Sequence, residues 1–252
     1  MDNYNKKAWE WVVKEKYGGI LPEDEQLIAV DLKWLEKGEP VDYIIGYCRF
    51  LGCHIDLSKK PLIPRPETEW WVEQAINEIK NNGIRKDYSF LDIFSGSGCI
   101  GIGLLKNIDG CHVDFVEING CLVKQIKINV ALGKIKNNRY RVIKSDIFGK
   151  VEKKYDIIFA NPPYIPEARL KKLPLSVKQF EPHQALFGGN DGLSLINLFL
   201  EQAKGHLKKN GLLHMEFDSQ QKKSIELILK KYGYRAEFLK DQYGKWRYLT
   251  AS

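Results

Sequence analysis

An α/β fold with a mostly parallel sheet is predicted by three features of the 252-residue chain. From about residue 61, apolar strand-like runs alternate with helical stretches, the rhythm of right-handed βαβ units. The first of those strands runs directly into a glycine-rich turn and a helix. The last two strand-like runs are separated by a short turn, which suits an antiparallel hairpin at one end of the sheet. Hydrophobic residues at 44% and charged residues at 28% are ordinary globular values. They exclude a disordered chain, a collagen-like repeat and a coiled-coil rod. The length accommodates one large α/β domain, or a standard domain with a small appendage.

Ahead of residue 61 the pattern differs. Residues 4–17 put Trp9, Val12, Val13 and Tyr17 near one helical face. Residues 23–37 put Leu27, Val30, Trp34 and Leu35 on another, after Pro22 at the N1 position. Gly18-Gly19 and Gly38 punctuate the two helices. Residues 43–56, rich in Tyr, Ile, Phe and Cys with bends at Gly46 and Gly52, read as a β-hairpin. The predicted organisation is a short helical region over 1–40, a hairpin connector over 41–60 and a main domain over 61–252.

In the main domain, Pro64 and Pro66 fix a rigid extended lead-in to a helix over 67–80. Strands are expected at 90–94, 113–118, 140–145, 156–160 and 212–217. Helices fit at 99–107, 119–131, 192–208 and 219–232. Strands at 234–239 and 246–250, split by Asp241-Gln242-Tyr243-Gly244, close the chain.

The net charge is +7, and it is unevenly spread. Residues 1–60 hold 9 basic and 11 acidic side chains, whereas 133–181 hold 12 and 5. Five cysteines, an odd number with no CxxC pair, argue against a zinc site or a disulfide framework and fit a reducing cytosol. The N-terminus lacks the apolar region of a signal peptide, and no apolar run nears the ~18 residues of a spanning helix. The expectation is a soluble, cytoplasmic monomer with no metal and no membrane partner.

Residues 89–101 read SFLDIFSGSGCIG, with Gly96, Gly98 and Gly101 in GxGxxG spacing. Glycines let the backbone turn sharply and approach a ligand, whose polar groups then meet the free N–H groups of the helix start. Glu117 lies 19 residues after Gly98, at the end of the second strand of the domain. A carboxylate there can accept two hydrogen bonds from a ribose diol. Together these features predict an adenosine-containing ligand across the carboxyl ends of the strands. They do not separate NAD from S-adenosylmethionine.

Residues 155–164 read YDIIFANPPY, an apolar strand ending in Asn161-Pro162-Pro163-Tyr164 at the same edge of the sheet. Consecutive prolines fix φ and carry no N–H donor. The loop therefore offers a rigid, acceptor-rich edge made of the Asn161 side-chain oxygen and the Pro162 carbonyl. A planar NH2 group can donate to both, while Tyr164 lies against the flat group that carries it. Holding such a nitrogen near an activated methyl supplies rate by positioning. A sulfonium is a good leaving group, so no strong general base is needed.

The chain from about residue 40 onward resembles the release-factor glutamine methyltransferase (HemK-like) family. The resemblance rests on LIPRPETE at 62–69, LDIFSGSGCI at 91–100, NPPYI at 161–165 and EPHQALFGGNDGL at 181–193, in that order. It implies a Rossmann-like class I methyltransferase fold with a mostly parallel seven-stranded sheet and an antiparallel last strand. It implies S-adenosyl-L-methionine as donor. The implied acceptor is the side-chain amide of the glutamine in the Gly-Gly-Gln motif of class I peptide chain release factors. By position, the implied cofactor residues are Asp92, Phe94, Ser95, Gly96, Ser97, Gly98, Glu117, Asp146, Ile147 and Asn161. The implied catalytic residues are Asn161, Pro162 and Tyr164, and Pro163 and Glu181 join them in holding the acceptor. Three departures stand out. Phe94 occupies a position where the family usually has glycine. Ile147 stands where an aromatic is more usual, which leaves adenine stacking weaker or supplied by Phe148. The N-terminal region is shorter than the family's helical bundle, which alters docking.

Arg65, Glu67 and Glu69 are expected near the active site, steadying the NPPY loop or the cofactor. Residues 188–192 are expected to form a lid or a plain glycine turn. His183 and His214 lack partners at metal-ligand spacing and receive neither a metal nor a base role. Two other functions fit parts of the pattern. An adenine-N6 nucleic-acid methyltransferase would use the same NPPY geometry on a flipped base. Only about 60 residues, net acidic, lie outside the catalytic fold, so direct nucleic-acid binding is not expected. A non-catalytic S-adenosylmethionine-binding partner would accommodate Phe94 and the short N-terminus, but not an intact NPPY.

Overall fold

Residues 3–83 and 87–252 are described by a computed structural model of the chain. Helices α1 (Asn3–Tyr17), α2 (Glu25–Glu36) and α3 (Val41–Ile45) meet around Ala8, Val12, Leu35, Ile44 and Ile45. The second helix starts at Asp24 rather than Pro22. The Asp24 carboxylate accepts from the N–H groups of Gln26 (2.9 Å) and Leu27 (3.2 Å), which fixes the N-cap there. Of the apolar face expected on α2, only Leu35 is buried; Leu27, Val30 and Trp34 stay 38%, 50% and 40% exposed. Neighbours as short as α3 leave most of that face without cover. The inward polar residue is Asp31, which binds the Lys16 ammonium and the Tyr17 hydroxyl.

The hairpin is shorter than predicted. Tyr43, Ile44 and Ile45 are buried in succession, which one turn of helix permits and an alternating strand does not. Gly46, at φ +93°, ends that turn. Strands β1 (Tyr47–Phe50) and β2 (Cys53–Asp56) then pair through Leu51-Gly52, both at positive φ as a tight hairpin turn requires. Phe50, Cys53 and Ile55 enter the same core as the helices of the main sheet.

The main sheet contains β3 (Ser89–Ile93), β4 (His112–Glu117), β5 (Tyr140–Lys144), β6 (Tyr155–Ala160), β7 (Leu207–Glu216), β8 (Ala236–Lys240) and β9 (Trp246–Ala251). Their order is β5-β4-β3-β6-β7-β9-β8, with β9 antiparallel to both neighbours and the first five strands parallel. Helices α4 (Pro66–Asn81), α5 (Cys99–Asn107) and α6 (Gly120–Leu132) share one core with Phe90, Phe115 and Phe159. A short helix, α7 (Leu175–Phe180), lies in the long connection after β6. Helices α8 (Ser194–Ala203) and α9 (Lys222–Lys231) cover the opposite face through Leu91, Ile93 and Ile158. Such two-sided burial is why these strands read as apolar runs.

Most boundaries fall within two residues of expectation. The exception is β7, which begins at Leu207 while α8 stops at Ala203. Leu207 already pairs with Tyr155, and a register shift lets Lys208-Lys209-Asn210-Gly211 leave the ladder before Leu212 pairs with Ile157. Asn210 takes φ +62° in that bulge. The strand order reverses between β4, β3 and β6, which opens a crevice beyond their carboxyl ends.

Candidate cofactor and acceptor site

A cavity of about 310 Å³ fills that crevice. The turn after β3 forms its floor. Gly96 and Gly98 hold φ +54° and +80°, and Gly98 caps α5 in the left-handed region. A Cβ at Gly101 would lie 2.3 Å from the Phe115 ring, so only glycine lets the helix start sit this close to β4. Asp92 stands beneath the turn. It is fully buried, and its Oδ2 accepts from the Gly101 N–H at 3.0 Å. Burial pushes its carboxyl well above the usual range, against the pull of that hydrogen bond.

Glu117, at the end of β4, ties the turn to the next one. It accepts from the Gly96 N–H (2.9 Å) and from the Asn119 N–H (2.8 Å). Burial raises its pKa, and the backbone donors oppose the rise. The carboxylate is thus oriented before any ligand arrives, on the cavity wall and with acceptor capacity left. Ser95 uses its hydroxyl structurally, bridging the Asp92 carbonyl (2.6 Å) and the Val116 backbone.

Phe94 takes φ +60°, the region glycine favours. A side chain there costs roughly 1–2 kcal/mol in backbone energy. The ring turns beneath the cavity and meets Phe199 edge-on at 5.6 Å, a contact that helps offset the cost. Phe148, the aromatic next to Ile147, stands away from the cavity. It lies between Phe199 (5.7 Å) and His206 (4.4 Å) in the core and is not among the cavity-lining residues. The apolar slot is instead lined by Ile118, Leu122 and Ile147.

Asn161 follows directly on β6 on the opposite wall, with Pro163 beside it. Its Nδ2 donates to Thr68 Oγ1 at 3.4 Å. Thr68 Oγ1 donates to Glu216 Oε2 at 2.6 Å, and the Trp71 indole donates to the same oxygen at 2.8 Å. The Tyr164 hydroxyl donates to Glu216 Oε1 at 3.1 Å. Burial raises the Glu216 pKa, while Thr68, Trp71, Arg247 and Tyr164 hold it back. Burial and Glu216 push the Tyr164 phenol up.

A strap from 181 to 193 closes over this loop. Ile165 forms an isolated bridge with Phe187. A Cβ at Gly188 would lie 2.4 Å from the Pro163 carbonyl, and one at Gly192 would lie 2.2 Å from that of Tyr164. The strap therefore needs glycine at both contacts. Gln221 Nε2 donates to the carbonyls of Tyr164 (2.9 Å) and Gly192 (3.1 Å) and clamps the two segments together. Glu181 is buried at the start of the strap, where it accepts from Arg65 Nη2 (2.6 Å) and the Ile63 N–H (3.3 Å). Glu69 accepts from the Leu51 N–H at 2.6 Å instead.

Arg65→Ala should leave the Glu181 carboxylate buried without its cation. We expect a loss of about 2 kcal/mol in unfolding free energy, read by urea denaturation, below the roughly 3–5 kcal/mol for breaking a fully buried pair because Arg65 is partly exposed. A change under about 0.5 kcal/mol would show that the pair does not hold the strap.

Phe94, Ser95, Gly96, Ser97, Glu117, Asp146, Ile147, Asn161 and Pro163 thus line one cavity. Asp92, Gly98, Pro162, Tyr164 and Glu181 stand behind its wall and shape it. Thr68, Glu216 and Gln221 were not singled out from sequence. Thr68 lies within LIPRPETE, and Glu216 is an acidic residue ending an apolar strand, but neither signal says that the two meet. Among the described residues, no group of three or more His, Cys, Asp or Glu side chains could hold a metal. No helix among them is long and apolar enough to cross a membrane.

Comparison with known proteins agrees with this geometry. The Methyltransferase small domain family matches residues 76–174. The release factor glutamine methyltransferase of Streptococcus pneumoniae is 34% identical over 89% of this chain and 79% of its own. That of Thermodesulfovibrio yellowstonii is 37% identical over 81% and 73%. Among solved structures, the ribosomal protein L11 methylase of Lactobacillus delbrueckii subsp. bulgaricus superposes with a TM-score of 0.57 at 20% identity, covering 79% of this chain and 83% of that one. The hMettl16 catalytic domain gives 0.61 at 18%, covering 80% and 75%. At such identities the structural likeness speaks for the fold alone.

Proposed function

The chain belongs to the release factor glutamine methyltransferases, and on that premise we propose that it methylates the side-chain amide nitrogen (N5) of the glutamine in the Gly-Gly-Gln motif of class I peptide chain release factors. The observation that carries the proposal is Asn161, which faces the same cavity as the glycine turn and Glu117. The residues fit S-adenosyl-L-methionine. Ser95 to Ser97 would receive its amino-acid end, Glu117 its ribose, and Ile118, Leu122 and Ile147 its base. When bound, that cofactor supplies a methyl group activated on a sulfonium.

The remaining work falls to the chain's own groups. Asn161 Oδ1 and the Pro162 carbonyl accept from the two N–H bonds of the glutamine amide and hold its nitrogen toward the cavity. Glu216 restrains Tyr164 from behind, and the strap restrains the Pro163 and Tyr164 carbonyls. Excluding water from this wall strengthens those polar contacts. No base is required, because the proton can leave the nitrogen after transfer. The adenine-N6 and non-catalytic readings are not favoured by the relatives.

The proposal extends to the organisation: residues 1–40 and the hairpin over 41–60 serve as accessory structure to a methyltransferase domain over 61–252, in a cytoplasmic monomer. The exposed Lys171 and Lys172, just beyond the NPPY loop, would face an acidic stretch of the protein substrate. Co-expression with a class I release factor tests the acceptor. Peptide mass spectrometry should find one added methyl on the Gly-Gly-Gln glutamine. A methyl on another residue, with that glutamine unmodified, would overturn the assignment.

A further inference from the structure

One carboxylate serves both ends of the NPPY tetrapeptide. Glu216 takes the Tyr164 hydroxyl on Oε1 and the Thr68 hydroxyl on Oε2, and Thr68 in turn receives Asn161 Nδ2. The Trp71 indole, a donor only, points at the same Oε2, so that oxygen is an acceptor and the single Thr68 proton is committed to it. Thr68 Oγ1 is then left with lone pairs alone toward Asn161. An amide turned the other way would set Asn161 Oδ1 against those lone pairs, acceptor against acceptor.

We propose that Glu216 and Thr68 form a directional hydrogen-bond relay that fixes which way the Asn161 amide faces, so that Oδ1 is the arm presented to the acceptor nitrogen. Thr68 and Glu216 are on this account positioning residues for the methyl acceptor. They sit 148 positions apart, at the start of α4 and the end of β7. The inference rests on the glutamine-methylation reading for its kinetic test and on the fold alone for its spectroscopic one. Asn161 Oδ1 accepts no hydrogen bond among the described residues, and Asn161 lines the cavity with Thr68. A wrongly turned amide would offer an N–H to an incoming N–H. Unpaired polar groups of this kind are costly at a site built to hydrogen-bond its substrate.

The test compares Thr68→Val, isosteric but without the hydroxyl, with Thr68→Ser, which keeps it. The full chain is assayed with labelled S-adenosylmethionine and a class I release factor. Thr68→Val should lower kcat about 30-fold, with KM for the factor and Kd for the cofactor within about threefold. Thr68→Ser should recover most of that loss. Equal activity of Thr68→Val and wild type, equal losses in both variants, or a loss confined to KM or Kd would each overturn the relay. If Thr68→Val does not fold, Thr68→Ala carries the same expectation, because it too removes the hydroxyl that receives Asn161 Nδ2. A second readout does not depend on the acceptor. Exchange of the Asn161 side-chain amide protons, identified by their absence in Asn161→Asp, should accelerate at least threefold in the hydroxyl-free variant. An unchanged rate overturns the relay even if the wild-type chain methylates nothing, whereas wild-type silence toward the release factor, with faster exchange in the variant, overturns only the acceptor reading.

Discussion

Asn161→Ala should reduce methyl transfer about a thousandfold while cofactor affinity stays within a few-fold. The magnitude follows from what is removed. Alanine deletes the one side-chain acceptor that faces the cavity from the end of β6. Loss of a single preorganised polar group of this kind typically costs about 3–4 kcal/mol in the barrier. The Pro162 carbonyl then holds one N–H of the acceptor amide alone, and the nitrogen can turn away from the methyl. Ground-state binding changes less, because the glycine turn and Glu117 keep their own tie through the Gly96 N–H. Steady-state kinetics with calorimetry separates the two terms. A variant that loses cofactor affinity and kcat in parallel would mean that Asn161 is a cofactor ligand first. Asn161→Asp tests the donor arm. It keeps an acceptor in the cavity but sets an anion against the Thr68 lone pairs, so it should be nearly as damaging.

The sheet and both chemical turns were legible in the sequence because each obeys a local rule. β3, β4 and β6 are buried on both faces and so read as apolar runs. Gly98 must adopt φ +80°, and Asn161 follows directly on a strand end. What the sequence did not reveal depends on juxtaposition. Glu216, Thr68 and Tyr164 come from three separate segments and meet only when β7 docks beside β6. Gln221 clamps two loops to which it has no linear relation. The N-terminal helices misled for a different reason. Periodicity marks an apolar face, but burial needs a partner surface, and α2 finds one only for Leu35. The packing of Phe94 and Phe148 was not legible either. The left-handed backbone at Phe94 steers its ring toward Phe199, and Phe148 completes the same aromatic stack.

Gly98→Asp should abolish measurable cofactor binding, a fall of at least a hundredfold, in a chain that still folds. Gly98 caps α5 directly behind the cavity wall, so its backbone sets where Ser95 to Ser97 and the helix start meet the ligand. Two costs arise on substitution and can be separated. The first is conformational. At φ +80° any Cβ is strained, and this one would lie 3.3 Å from Ile126 Cγ1 and 3.5 Å from Ile102 Cδ1. Those contacts are tight but end on aliphatic branches that can shift, and the strain is about 1–2 kcal/mol. Gly98→Ala carries this cost alone and should weaken binding about tenfold. The second is electrostatic. The aspartate carboxylate would compete for the N–H groups at the start of α5 and repel an anionic ligand group, close to Asp92 and Glu117. That difference, aspartate against alanine, is worth at least another tenfold. It should shrink as salt is raised, because the mouth of the cavity is open to solvent. Titration calorimetry of both variants at low and high ionic strength reads the two costs independently. Equal affinities for the alanine and aspartate variants would place the ligand's anionic end elsewhere than the start of α5.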